Sequence, residues 1–81
     1  MPTLTLYGKP GCHLCDDARQ VVERVCAGRD VTLEQVDITL DAVMARRFGE
    51  VIPVVFLDGE PLFELFVDAD VLEGALDRVS A

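Results

Sequence analysis

The feature that most constrains this chain is Cys12-His13-Leu14-Cys15, set between an apolar strand-like run, Thr3-Leu4-Thr5-Leu6-Tyr7, and a stretch with helical spacing. Gly8-Lys9-Pro10-Gly11 supplies the turn between the two. That order puts the first thiol at a helix start and the second one turn further in. Unpaired backbone N–H groups and the positive end of the helix dipole stabilise a thiolate at such a place. A Cys-x-x-Cys pair there can lower a thiol pKa from about 8.5 to about 7 or below. The chemistry implied is thiol–disulfide exchange, with Cys12 as the outer, attacking sulfur and Cys15 as the inner, resolving one.

The remainder of the 81 residues must fold around that turn, and the length allows one domain, residues 1–81. Leu14, Ala18, Val21, Val22 and Val25 recur at helical spacing, and Ala27-Gly28 ends the helix. Val31 to Val36 reads as a second strand. Asp37 and Thr39 are both candidate N-caps for a short helix around Leu40 to Phe48, with Leu40, Val43, Met44 and Phe48 inward and Gly49 closing it. Val54 to Leu57 is a continuous apolar strand, Asp58-Gly59 a hairpin signal, and Leu62 to Val67 the returning strand. Asp68 or Asp70 caps a last helix in which Leu72, Ala75, Leu76 and Val79 share a face. The order β-α-β-α-β-β-α predicts an α/β fold with a parallel first strand pair, an antiparallel hairpin, and one four-stranded mixed sheet flanked by helices on both faces.

Composition narrows the function. Three cysteines are too few for a disulfide-stapled scaffold, and the 51% hydrophobic content allows a core without one. A redox dithiol in a reducing compartment fits better. Seven basic against fifteen acidic residues give a net charge of −8, which argues against nucleic acid and anionic membrane surfaces as partners. Met1-Pro2-Thr3 goes straight into a strand pattern, with no basic stretch before an apolar segment there, so no signal peptide is expected, and no apolar run approaches the ~20 residues of a membrane span. The expected location is the cytoplasm, and the expected state a monomer.

The element order, with Cys-x-x-Cys opening the first helix and Ile52-Pro53 before the third strand, resembles the thioredoxin fold in its small glutaredoxin form, over essentially the whole chain. Leu4-Thr5-Leu6-Tyr7 followed by Cys12-His13-Leu14-Cys15-Asp16 is similar to small bacterial glutaredoxin-like proteins with a Cys-His-Leu-Cys motif, and Val51-Ile52-Pro53-Val54-Val55 matches the second hallmark. The resemblance implies a cis Pro53 packed beside the dithiol and an Ile52 backbone offered to an extended substrate. It implies Lys9 near the thiolate or a substrate carboxylate, and Arg46 and Arg47 near the glycine carboxylate of glutathione. Two departures stand out. Phe66-Val67-Asp68-Ala69-Asp70 replaces the Gly-Gly and acidic residue that help glutaredoxins hold glutathione, and the first strand lacks the buried carboxylate of thioredoxins.

His13, when protonated, could stabilise the Cys12 thiolate, or it simply faces solvent. Asp16 and Asp17 suit the helix dipole. Cys26 has the helical phase of a core residue. Asp68 and Asp70 read as helix caps rather than ligand contacts. The expected activity is a glutaredoxin-like oxidoreductase that reduces protein disulfides or glutathione mixed disulfides through Cys12 and Cys15, with Lys9, His13, Ile52 and Pro53 meeting substrate. It needs no bound cofactor, and glutathione stays open as reductant or co-substrate. Two rivals differ in kind. One is a thioredoxin-fold interaction domain without catalysis. The other is a metal or iron–sulfur module, for which Cys12, Cys15 and His13 fall short of the four ligands zinc usually takes.

Overall fold

Alternation along Thr3–Gly8 (β1) sends Leu4 and Leu6 to one face of a sheet and Thr5 and Tyr7 to the other. That split organises the protein, seen here in a computed structural model that describes residues 2–80. The further elements are α1 (His13–Cys26), β2 (Thr32–Asp37), a 3₁₀ turn (Ile38–Leu40), α2 (Ala42–Phe48), β3 (Val54–Leu57), β4 (Glu60–Glu64) and α3 (Ala69–Ser80). They form an α/β fold on one four-stranded mixed sheet of order β2-β1-β3-β4. β1 pairs parallel with β2 and antiparallel with β3, and β3 pairs antiparallel with β4.

The two sheet faces carry separate cores. Leu4, Leu6 and Val55 pack with Ala18, Val22 and Val25 of α1 and with Leu72 and Leu76 of α3. Burying each of the larger side chains contributes about 1.5–3 kcal/mol. On the other face, Val54 packs with Ile38, Phe48, Ile52 and Cys15, and Tyr7, Met44 and Phe56 lie against them. Cys15 therefore belongs to the second core although α1 mostly builds the first.

Turn chemistry fixes the ends of the elements. Asp58 (φ 50°) and Gly59 (φ 85°) both adopt the left-handed region, as a two-residue hairpin loop between twisted strands requires. The loop is tied to β1, since Thr3 N–H donates to Asp58 Oδ1 at 2.8 Å and Asp58 N–H donates to Thr3 O at 2.9 Å. With so short a loop, pairing resumes at Glu60, so β4 occupies Glu60–Glu64 rather than the expected Leu62 to Val67. The strand stops where Leu65 turns to φ 69°. β2 likewise begins at Thr32 and continues to Asp37, one residue later at each end than expected.

The segment after β2 is broken, which corrects the expected single helix from Leu40. Asp37 Oδ1 accepts from Thr39 N–H (2.9 Å) and Thr39 Oγ1 (2.6 Å), capping the 3₁₀ turn. Asp41, not Thr39, then caps α2 by accepting from Val43 N–H at 2.9 Å and Met44 N–H at 3.3 Å. The break shifts the helical phase. Leu40 is 85% exposed and Val43 58% exposed, contrary to expectation, while Ile38 takes the buried place and Met44 and Phe48 face inward. In α3 the cap is Asp68, whose Oδ1 accepts from Val71 N–H at 3.1 Å. Leu72, Ala75 and Leu76 are buried as expected, but Val79 is 46% exposed, over a shallow recess beside Leu57, Pro61 and Leu62.

Candidate active site

Cys12 is the N-cap of α1, in extended conformation (φ −100°, ψ 114°), and its sulfur accepts the Cys15 N–H at 3.3 Å. A sulfur at an N-cap takes the place of the usual Ser or Asp oxygen, satisfying one of the orphan donors of the first turn. Such a bond is stronger to a thiolate than to a thiol. Cys12 is half-buried, Cys15 is buried, and both are free thiols.

The two sulfurs differ in burial, Cys12 lying at the edge of the second core and Cys15 within it. Cys15 packs among Ile38, Phe48, Ile52 and Val54. Burial, the hydrogen bond with Cys12, and the negative charges of Cys12 and Asp16 push its thiol up to about 11, against a weaker downward pull from the Lys9 backbone. At neutral pH Cys15 thus holds its proton. A Cβ placed on Gly8 would lie 3.0 Å from the Cys15 sulfur and 3.2 Å from its Cβ. Glycine is needed here for space rather than for backbone freedom. Beside Cys15, a cleft of about 260 Å³ opens between Gly8, Lys9 and Asp16 on one side and Gln35 and Asp37 on the other.

The Ile52–Pro53 peptide bond is cis, and both residues are buried. Ile52 shares the second core with Cys15, and Cys12 lies against that core. No backbone hydrogen bond among the described residues engages the N–H or carbonyl of Ile52. Its neighbours are occupied, because Leu65 N–H donates to Pro53 O at 2.8 Å and to Val51 O at 3.2 Å. That places the end of β4 against the Pro53 loop.

The fold thus gathers Cys12, Cys15 and Ile52, with Pro53 following Ile52 in the chain and Lys9 at the rim of the cleft. Lys9 acts on Cys15 through its backbone, while the residue is exposed in the turn. His13 is exposed at the first position of α1. Cys26 is half-buried against the first core, where burial raises its thiol pKa, away from the dithiol. Among the described residues no group of three or more His, Cys, Asp or Glu is placed to hold a metal ion, and no helix is long and apolar enough to cross a membrane.

Residues 3–77 match the glutaredoxin-like domain family (DUF836). The chain belongs to the glutaredoxin-like domain family. A structural-genomics target protein from X. campestris is 32% identical, with a TM-score of 0.76, covering 93% of this chain and 96% of that one. Protein Ne2328 from Nitrosomonas europaea is 26% identical, with a TM-score of 0.76, covering 91% and 89%. A mutant thioredoxin from Halobacterium salinarum, 24% identical with a TM-score of 0.71 over 99% of this chain and 75% of that one, shares the thioredoxin fold.

Three features of this glutaredoxin-like site escape a reading of the sequence. The first is Gly8, which looks like any turn glycine until its distance to Cys15 is known. The second is an aromatic trio beneath the dithiol: Tyr7 and Phe48 lie 4.8 Å apart by ring centroids, Tyr7 and Phe56 5.5 Å, and Phe48 and Phe56 5.8 Å. Arg47 caps the trio, its guanidinium 4.8 Å from the Phe48 centroid and 5.9 Å from that of Phe56. The third is Leu65, a leucine in the left-handed region at a cost of about 1–3 kcal/mol. None of these has a sequence signal, because each is a matter of contact distance or backbone conformation rather than of residue pattern.

Proposed function

We propose that the chain is a thiol–disulfide oxidoreductase working through Cys12 and Cys15. The observation that carries this reading is the asymmetry of the pair. One sulfur is half-buried and accepts a helix N–H, and the other is buried, protonated at neutral pH and in hydrogen-bond contact with the first. Membership of the glutaredoxin-like family supports it.

The Cys12 thiolate attacks one sulfur of a substrate disulfide. The substrate S–S bond breaks, and the departing sulfur leaves as a thiolate that takes up a proton. Cys15 then gives up its proton and attacks the Cys12 sulfur, breaking the mixed disulfide and releasing the second substrate thiol. The substrate gains two electrons, and the protein is left with a Cys12–Cys15 disulfide. Two equivalents of an external thiol, with glutathione as one candidate, restore the dithiol and leave joined as their own disulfide.

Ile52 offers its unpaired backbone groups to the substrate segment, and Pro53 holds that edge beside the sulfurs. Lys9, at the rim of the cleft, and His13, exposed at the start of α1, meet substrate charge. Substrates on this reading are disulfide-bearing proteins or glutathione mixed disulfides, and the chain works as a monomer in the cytoplasm.

Single-turnover reduction of a mixed-disulfide substrate tests the proposal. Cys12→Ser should abolish capture. Cys15→Ser should capture substrate and hold it as a mixed disulfide visible by mass spectrometry. Full turnover by the Cys12→Ser protein would overturn the reading.

A further inference from the structure

Beside the dithiol lies an apolar surface that the exchange reaction leaves unused. Leu14, the residue between His13 and Cys15, faces Leu65 and Phe66 at the end of β4, across a recess of about 110 Å³ floored by Ala18 and Val21. Phe66 is 68% exposed, and Leu14 and Leu65 are more than a third exposed. The patch adjoins the Pro53 loop directly, because Leu65 N–H is bound to the Pro53 carbonyl. Leu65 is held in a strained backbone conformation to stand there.

We propose that this groove docks an extended polypeptide carrying an apolar side chain and a basic residue next to its disulfide cysteine, so that the chain favours protein disulfides over glutathione mixed disulfides. The inference rests on the oxidoreductase reading and narrows its substrate.

Size and charge both favour that occupant. The recess is well below the ~300 Å³ of a small-molecule pocket, so it takes one side chain of a segment lying across it rather than a whole tripeptide. Its charged lining residue is Asp17, Glu64 and Asp68 bracket Leu65 to Val67 in sequence, and the chain carries a net charge of −8. A basic segment is attracted to such a rim, whereas the two carboxylates of glutathione are repelled.

The test uses the reduced full chain and two mixed disulfides of 5-thio-2-nitrobenzoate. One is with the cysteine of a short peptide bearing adjacent Leu and Arg, the other with glutathione. In each, Cys12 attacks the carrier sulfur and the coloured thiolate leaves with the electron pair, so the leaving group is the same and the rate ratio reports recognition. The peptide disulfide should react about tenfold faster, and Phe66→Ser should remove about that factor while the glutathione rate stays within about twofold. Replacing the peptide Arg by Glu should also slow capture, a comparison that needs no variant protein.

Equal rates for the two disulfides would overturn the groove and leave the exchange reaction standing. So would a Phe66→Ser protein slowed alike on both, or one whose only change is loss of a dimer in sedimentation. Failure to attack either disulfide would overturn the exchange reading beneath it as well.

Discussion

The two faces of the sheet make an instructive pair. Toward α1 and α3 lies a continuous core whose buried members, Leu4, Leu6, Val22, Val55, Leu72 and Leu76 among them, are all aliphatic, with the half-buried Cys26 at its edge. Toward α2 lies a smaller core that contains a thiol and borders aromatic rings, a cis peptide bond and a cleft. One face supplies the stability of a small fold. The other holds a sulfur in a place that suits its chemistry, and β1 joins them by alternating its side chains. The lesson is that stability and reactivity are divided between faces of one strand, so substitutions on each should have different signatures.

The largest effect should come from the aliphatic face. Leu72→Ala should cost about 2–5 kcal/mol in denaturant unfolding. Its rate of disulfide exchange per folded molecule should stay at the wild-type value; a changed rate would break the division between the faces. Gly8→Ala should follow, costing about 1–3 kcal/mol by crowding the Cys15 sulfur. Capture by Cys12 should proceed while resolution by Cys15 slows, which stopped-flow measurement of the two half-reactions would separate.

The pH dependence of stability sharpens the comparison further. In the fold Cys15 keeps its proton up to about 11, against an ordinary value of 9.0, so between these values the unfolded chain binds fewer protons than the native one. Its contribution is complete below pH 9 and is lost as pH rises from about 9 to about 11. Urea unfolding across that window should fall more steeply for the wild type than for Cys15→Ala. The smallest effect should be that of Arg47→Ala. Loss of the cation over Phe48 should cost about 0.5–1 kcal/mol by thermal unfolding, since the arginine is exposed.

The same division explains what the sequence made legible. The aliphatic face is written in periodicity: Ala18, Val22 and Val25 recur on one helix stripe, and Leu4 and Leu6 on one strand face. The dithiol was legible because a short motif at a helix start has a mechanical meaning of its own. The second core was only partly so. Ile38, Phe48, Ile52 and Cys15 come from four segments with no shared period, and the Asp41 cap that restarts the helix left Leu40 and Val43 in solvent. Leu62 to Val67 is apolar enough to read as a strand throughout, yet β4 ends at Glu64. A positive φ at Leu65 and two backbone bonds to the Pro53 loop outweigh that propensity.

The most direct measurement is a redox titration of the full chain in thiol–disulfide buffers, followed by mass mapping of the cysteine-containing peptides. A reversible two-electron couple should appear with Cys12 joined to Cys15, Cys26 remaining free, and a midpoint of about −200 to −270 mV. Absence of a Cys12–Cys15 bond at every potential, or its replacement by a bond to Cys26, would contradict the division of roles between the two sulfurs.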